Sequence, residues 1–274
     1  MREQLWWAAR NHKMVRRLAA QPVVAEVLRK IGYALLPPST MRPLTVQSGI
    51  GEGLTLLLNP RWQQRMWQGT YEPSVQRAVA PFFAPGHVVY DVGGGIGFYS
   101  LAAASRGAQV FMFEPDPKNI AGIERHAQMN GLSNAFSLVP MAAFSRTGTL
   151  RMEASKLGHG PGHAIATEIW DSGSGDRFEA RCTTLDDFAR NHPSPHLIKV
   201  DAEGSEAAVI QGAERLMREA GPALLCEVHD VELTEEVEHI IRSRNYQMTR
   251  LRDPEYHVSW IYATPLNQPP PCAA

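Results

Sequence analysis

The stretch that most constrains this chain is Asp91-Val92-Gly93-Gly94-Gly95-Ile96-Gly97, set between the apolar run HVVYDVG (87–93) and the helical run GFYSLAAASRG (97–107). A short apolar run rich in Val and Tyr reads as a buried strand. Glycines where it turns into a helix let the backbone approach a ligand closely, and the helix N-terminus favours electron-rich groups. The same rhythm continues downstream. AQVFMFEP (108–115) is a second strand, followed by a helix from Pro117 to about Asn130. AFSLVPMAA (135–143) is a third, and HLIKVDAEG (196–204) a fourth, with a helix from Ser205 to about Ala220. PALLCEVH (222–229) is a fifth, and Thr234 is suited to cap the next helix, ending near Asn245. YQMTRL (246–251) and HVSWIYAT (257–264) read as two further strands joined around Asp253-Pro254. Strands alternating with helices predict an α/β fold, a doubly wound, mainly parallel seven-stranded sheet with an antiparallel edge strand.

The flanks depart from this rhythm. Residues 1–30 hold seven Arg and Lys against Glu3 and Glu26, a local balance of +5 in a chain of net charge -1. Leu5, Trp6 and Ala9 share one helical face, and Val23, Val24, Val27, Leu28 and Ile31 another, before Pro37-Pro38. We therefore expect an N-terminal helical arm over 1–60, a main domain over 61–266 and a disordered tail over 267–274. Residues 1–38, basic and bearing Trp6-Trp7, suit either peripheral contact with an anionic membrane or a lid packed on the main domain. The section 144–185 holds a short strand, GTLRM, and then a long polar, Gly-rich loop placed to reach over a ligand cleft.

Composition narrows the function. A net charge of -1 argues against a nucleic-acid partner bound through its phosphates. Cys182, Cys226 and Cys272 are too scattered for a disulfide framework or a zinc site, and no signal-peptide core or membrane span is present, so a cytoplasmic setting is expected.

The glycine loop separates two ligand classes. A dinucleotide fingerprint beginning at Gly93 requires glycine or alanine at 98, and one beginning at Gly95 requires glycine at 100, where Phe98 and Ser100 stand. The chain has instead D-x-G-x-G-x-G, a spacing typical of S-adenosylmethionine (SAM) methyltransferases. Glu114 in FMFEP follows about twenty residues on, where an acidic side chain can accept both ribose hydroxyl protons.

Several segments together resemble the FkbM family of SAM-dependent O-methyltransferases: GTYEPSVQ (69–76), VVYDVGGGIGFYSLAA (88–103), FEPDPKN (113–119), TTLDDF (183–188) and, most specifically, IKVDAEGSE (198–206). The resemblance implies a Rossmann-like class I fold and a methyl transfer with SAM as donor, S-adenosylhomocysteine (SAH) as product and a small-molecule hydroxyl as acceptor. Carried over by position, Asp91, Gly93, Gly95, Gly97, Glu114 and Pro115 belong to the cofactor site, Asp116 lies near the adenosine and Ala142 beside the adenine. Tyr71 and Glu72 match a G-x-Y-E stretch that closes over the methionine end. One departure stands out: the family usually shows D-V-G-A-N-x-G, and here Gly94-Gly95 replaces Ala-Asn.

Ligands in such sheets bind at the carboxyl ends of strands where strand order reverses. That directs attention to Asp201 and Glu203 after the fourth strand and to Glu227 and His229 ending the fifth. Methyl transfer to an unactivated hydroxyl benefits from a base, and Asp201 or His229 suits that role, with Glu203 orienting the acceptor and Lys199 tuning Asp201. Glu203 as a cap of the Ser205 helix is the plainer reading. Asp201, Glu203 and His229 as ligands of a divalent cation are a further alternative, but no tight ligand motif marks a metal site. An N-methyltransferase, a non-catalytic SAM-binding protein and an NAD-dependent oxidoreductase are the competing functions, the last disfavoured by Phe98 and Ser100.

Overall fold

The computed structural model describes residues 41–154, 164–166, 176–228, 231–252 and 259–267. The helical segments expected over 1–38, His159 and His163, His229, the turn at Asp253-Pro254 and the tail from 268 lie outside the described residues. Among the described residues no helix is long and apolar enough to cross a membrane.

The described residues begin with a hairpin, β1 (Arg42–Thr45) and β2 (Thr55–Leu58). This corrects the helical arm expected to reach residue 60. Leu44, Leu56 and Leu58 alternate with outward residues, so their period is that of a strand. Two short helices follow, α1 (Gln64–Gln68) and α2 (Pro73–Val79).

The main unit alternates as expected: β3 (Val88–Val92), α3 (Phe98–Ser105), β4 (Gln109–Phe113), α4 (Pro117–Met129) and β5 (Ser137–Val139). After an insertion come α5 (Leu185–Phe188), β10 (Leu197–Val200), α6 (Glu206–Gln211), α7 (Glu214–Glu219), β11 (Ala223–Val228), α8 (Val231–Ser243), β12 (Tyr246–Leu251) and β13 (Ser259–Pro265). The seven strands lie in the order β12-β13-β11-β10-β3-β4-β5. All neighbours pair in parallel except those of β13, which runs antiparallel to both β11 and β12 one place in from the edge. Chain order reverses between β3 and β10, the point where an open α/β sheet opens a crevice at its strand ends.

Helices on both faces bury the central strands completely, which is why their sequences read as continuous apolar runs. Side chains still alternate. Val88, Tyr90, Val92, Ile198, Val200, Leu224 and Cys226 pack on one face. Val89, Leu197, Ala223 and Leu225 pack on the other, against α3 and the hairpin.

Four expected boundaries move. Pro140 ends the third strand, because proline gives no N–H to a ladder, and the chain passes into a second sheet through β6 (Ala142–Ala143). The section 144–185 contributes β7 (Gly148–Ala154), which contains the expected strand GTLRM, and, where a long loop was expected, β8 (Ala164–Ala166) and β9 (Asp176–Thr183) to that sheet, ordered β6-β9-β7-β8. Leu150, Met152, Ala180 and Cys182 alternate inward to form its core. The helix expected over 205–220 divides at Gly212-Ala213. There the insertion presses so close that a Cβ on Gly212 would lie 2.1 Å from the Phe144 carbonyl oxygen. Thr234 lies buried inside α8 and does not begin it.

The hairpin is held to α4 by side chains that imitate a neighbouring strand. Asn130 accepts from the Thr55 N–H at 2.7 Å and donates to the Thr55 carbonyl at 2.8 Å. His126 accepts the Leu57 N–H on Nε2 at 2.9 Å, which leaves Nδ1 to donate to the Ile96 carbonyl of the glycine loop, also at 2.9 Å. Burial lowers the His126 pKa, in keeping with the neutral ring this arrangement needs. Asn130→Ala removes two of these bonds and leaves the Thr55 groups without partners. It should cost about 1–3 kcal/mol and selectively raise amide hydrogen exchange at Thr55. An unchanged Thr55 rate would show that the hairpin is held by its leucines alone.

Candidate active site

The carboxyl ends of β3, β4 and β10 open on one cavity of about 740 Å³. Its floor is the glycine loop. Gly93, Gly95 and Gly97 have φ of +73°, +56° and +84°, a region costly for other residues. Gly93 is further constrained by crowding, since a Cβ there would lie 1.7 Å from the Asp201 carbonyl oxygen. Around Gly95 there is open space, with nothing within 4 Å of an added Cβ. The position where the family usually carries Asn is therefore free.

Glu114 follows β4 and stands beside the loop, 3% exposed. Its carboxylate accepts from the Gly95 N–H at 3.2 Å and the Asp116 N–H at 3.0 Å. Burial pushes its pKa up to about 7, opposed by these hydrogen bonds and one from Asn119. Asp116 itself caps α4, accepting from the Lys118 N–H at 2.8 Å, and does not line the cavity.

The other end of the cavity is polar for a reason visible in strand alternation. Asp91, Lys199 and Glu227 share the sheet face of Val89, Leu197 and Leu225, one step nearer the strand ends. Lys199 is 3% exposed. Its ammonium lies 3.5 Å from Asp91 and 3.4 Å from Asp201, with the Tyr99 and Trp260 rings 5.3 and 5.4 Å away. Burial alone would strip its proton, but Asp201, Asp91, Glu227 and Glu72 together hold its pKa above the ordinary lysine value. The helix after the loop supplies the rest: Ser100 donates to Asp91 at 2.7 Å, and Tyr99 donates to Glu72 at 2.6 Å.

The cavity brings together Tyr71, Gly93, Gly95, Glu114, Pro115, Ala142, Asp201 and Glu203 from the expected set. Asp91, Glu72 and Gly97 stand behind that lining and Asp116 beside it, while His229 lies outside the described residues. Glu203 has a left-handed backbone, φ +50°. It does not serve as the anchor of the turn before α6. Glu206, fully buried, accepts the Ala202 and Gly204 N–H groups at 2.9 Å each, which explains the final acid of IKVDAEGSE.

Sequence reasoning missed the wall formed by Arg61, Trp62, Arg65 and Met66, together with Leu150 and Met152 of β7. The alternation of β7 was a usable signal. Residues 61–66 carry none, because they enter the cavity only through the fold of the hairpin and α1.

A family model described as the methyltransferase FkbM domain matches residues 91–248, from the start of this site to β12. The chain belongs to the FkbM methyltransferase family. For its members the family implies methyl transfer with SAM as donor, and this chain spans less than two thirds of the length of the first two relatives described next. The hexuronic acid methyltransferase AglP of Haloferax volcanii is 24% identical over 172 residues, covering 61% of this chain and 66% of that protein's length. A crystal structure of the methyltransferase FkbM from Methylobacillus flagellatus is 19% identical, covers 65% of this chain and 43% of that one, and has a TM-score of 0.47. A precorrin-6y C5,15-methyltransferase from Geobacter metallireducens is 11% identical, covers 69% and 87%, and has a TM-score of 0.44.

The loop geometry separates two glycines. Gly95→Ala should fold and cost about 1–2 kcal/mol for its backbone region alone. Gly93→Ala adds a clash with backbone and should lower the unfolding midpoint at least twice as far. Equal effects in thermal or urea unfolding would remove the crowding argument.

Proposed function

We propose that this FkbM methyltransferase transfers the methyl group of SAM to a hydroxyl of a small molecule, of the secondary-metabolite, sugar or lipid class. The observation that carries the reading is the single cavity joining the Gly93–Gly95 loop and Glu114 to the Asp201 carboxylate. Its volume is that of a small-molecule site. Open space over Gly95 and the buried Glu114 carboxylate fit a ribose-bearing ligand. Gly93, Gly95, Glu114 and Pro115 would hold the donor, with Ala142 beside its base and Tyr71 near its methionine end. When bound, SAM supplies an electrophilic methyl group on a sulfonium.

The chain's own work is alignment and proton removal. Asp201 takes the acceptor hydroxyl proton on its carboxylate, held in place by Lys199. Glu203, on the same cavity wall, orients the acceptor. Arg61 and Arg65 also line the cavity, and guanidinium groups suit carboxylates. With a relative named for hexuronic acid, this supports an acidic sugar among the candidate acceptors.

Ribose recognition needs the charged form of Glu114. Because its pKa is raised to about 7, donor affinity should fall as pH drops through 7, approaching tenfold per unit well below it. Calorimetric titration with SAM, SAH and NAD at pH 6 and 8 tests this. We expect SAM and SAH to bind and NAD not to, with Glu114→Gln binding more weakly and without the pH dependence. Binding of NAD alone would sink the proposal. Asp201→Asn should cut turnover by about 10²–10⁴-fold, the usual worth of a positioned base, while leaving SAM affinity nearly intact. Undiminished turnover would remove Asp201 from the role of base.

A further inference from the structure

Behind the cavity wall lies an imbalance of charge. Glu72, Asp91, Asp201 and Glu227 surround a single buried cation, Lys199. Glu72, Asp91 and Glu227 are 3%, 1% and 7% exposed, whereas the Asp201 side chain is 26% exposed and reaches the cavity. Lys199 spends its ammonium on Asp91 and Asp201. Ser100 and Tyr99 supply hydroxyl donors to Asp91 and Glu72. Among the described residues Glu227 has neither arrangement. The β10–β11 ladder pairs Val200 with Cys226, so the next residues, Asp201 and Glu227, come side by side. That register brings their carboxyl groups within hydrogen-bonding reach of each other.

Two carboxyl groups this close at the end of a buried strand pair cannot both carry charge, and one proton between them turns the contact into a hydrogen bond. We infer that Asp201 and Glu227 form a carboxyl pair holding one proton, in which Asp201 presents the cavity-facing carboxylate and Glu227 is the positioning residue that donates to it from behind. The pair is assembled by strand register, with the Lys199 ammonium 3.4 Å from Asp201 Oδ2. Burial first, and then the neighbouring Asp201 charge, push the Glu227 pKa far above the usual carboxylate range, and Glu72 adds to this while Lys199 opposes it. Tyr71 and Tyr99, near the same cluster, are themselves raised by burial and by Glu72, so neither competes as the proton's source. A single ionised carboxylate facing the cavity is what the base proposed for Asp201 requires. The inference extends that reading, but the shared proton is a property of the protein without donor or acceptor.

The test is an infrared difference spectrum of the ligand-free protein at pH 8, wild type minus Glu227→Gln. We expect a protonated-carboxyl C=O band in wild type that the substitution removes. Gln keeps the shape and a donor, so the variant should fold, and circular dichroism verifies this. A second measurement follows the unfolding constant with pH. Unfolded Glu227 ionises near the ordinary glutamate value of 4.5, whereas the folded protein keeps the proton well above it, so the folded state binds the extra proton. Stability should therefore fall as pH rises from 6 to 9, by up to tenfold in the unfolding constant per unit for one proton. Glu227→Gln should flatten that slope by the same amount. A blank difference spectrum, or an identical pH slope in the variant, would overturn the shared proton whatever the enzyme transfers. A clear band in a protein that binds no SAM would leave the carboxyl pair standing and overturn the functional reading alone.

Discussion

The site depends on one buried ammonium. An ionised lysine removed from water costs several kcal/mol unless its charge is met. Lys199 meets that cost with partners from several separate elements: Asp91 on β3, Asp201 after its own strand, and the faces of Tyr99 on α3 and Trp260 on β13. It thereby ties the strand that enters the glycine loop to the strand that delivers Asp201, across the point where sheet order reverses. In its absence the surrounding carboxyl groups would have to take up protons or open the strand ends to water.

Beside this electrostatic tie stands a steric one. The loop passes so close to the chain after β10 that only hydrogen fits on Gly93, and Gly94 sits against the Met112 side chain. Gly95 looks into open space, and its N–H is fixed to Glu114. Each glycine of the run thus answers a different demand: backbone contact, side-chain contact and access to the cavity. Glu206 does the equivalent work for the opposing turn, where its carboxylate gathers two N–H groups below Asp201 and Glu203.

Much of this was legible because the β–loop–α rhythm is local. The strands from HVVYDVG to PALLCEVH each announce themselves by apolar runs, and the acidic residues that matter terminate those runs. What escaped reading depended on contacts distant in sequence. The hairpin looked like the end of a helical arm because RPLT and TLLL are too short to display a period. The 205–220 helix divides where Gly212 passes the Phe144 backbone, some seventy residues away, and where Asp186 accepts the Arg215 and Leu216 N–H groups, partners that the local sequence does not announce. Glu206 was passed over for Glu203 because proximity to a helix start does not say which acid reaches the turn. Beyond GTLRM the insertion read as a loop because its Gly-rich segments diluted the alternation that ends in Ala180 and Cys182.

Those harder segments are also the ones that differ in kind from the sheet. The strand ends and the glycine loop supply groups that any methyl transfer from a ribose-bearing donor can use. Arg61 and Arg65 come from the segment leading into and forming α1, and Leu150 and Met152 from β7, both outside the seven-stranded sheet. The hairpin leading to α1 is fixed to the helix behind the loop through Asn130 and His126, so this wall is referenced to the same backbone that would hold the donor. Under the proposed function, chemistry and acceptor choice would therefore rest on separable parts of one cavity. The wall can change its side chains without disturbing the Lys199 cluster, because none of that cluster's charged partners comes from it.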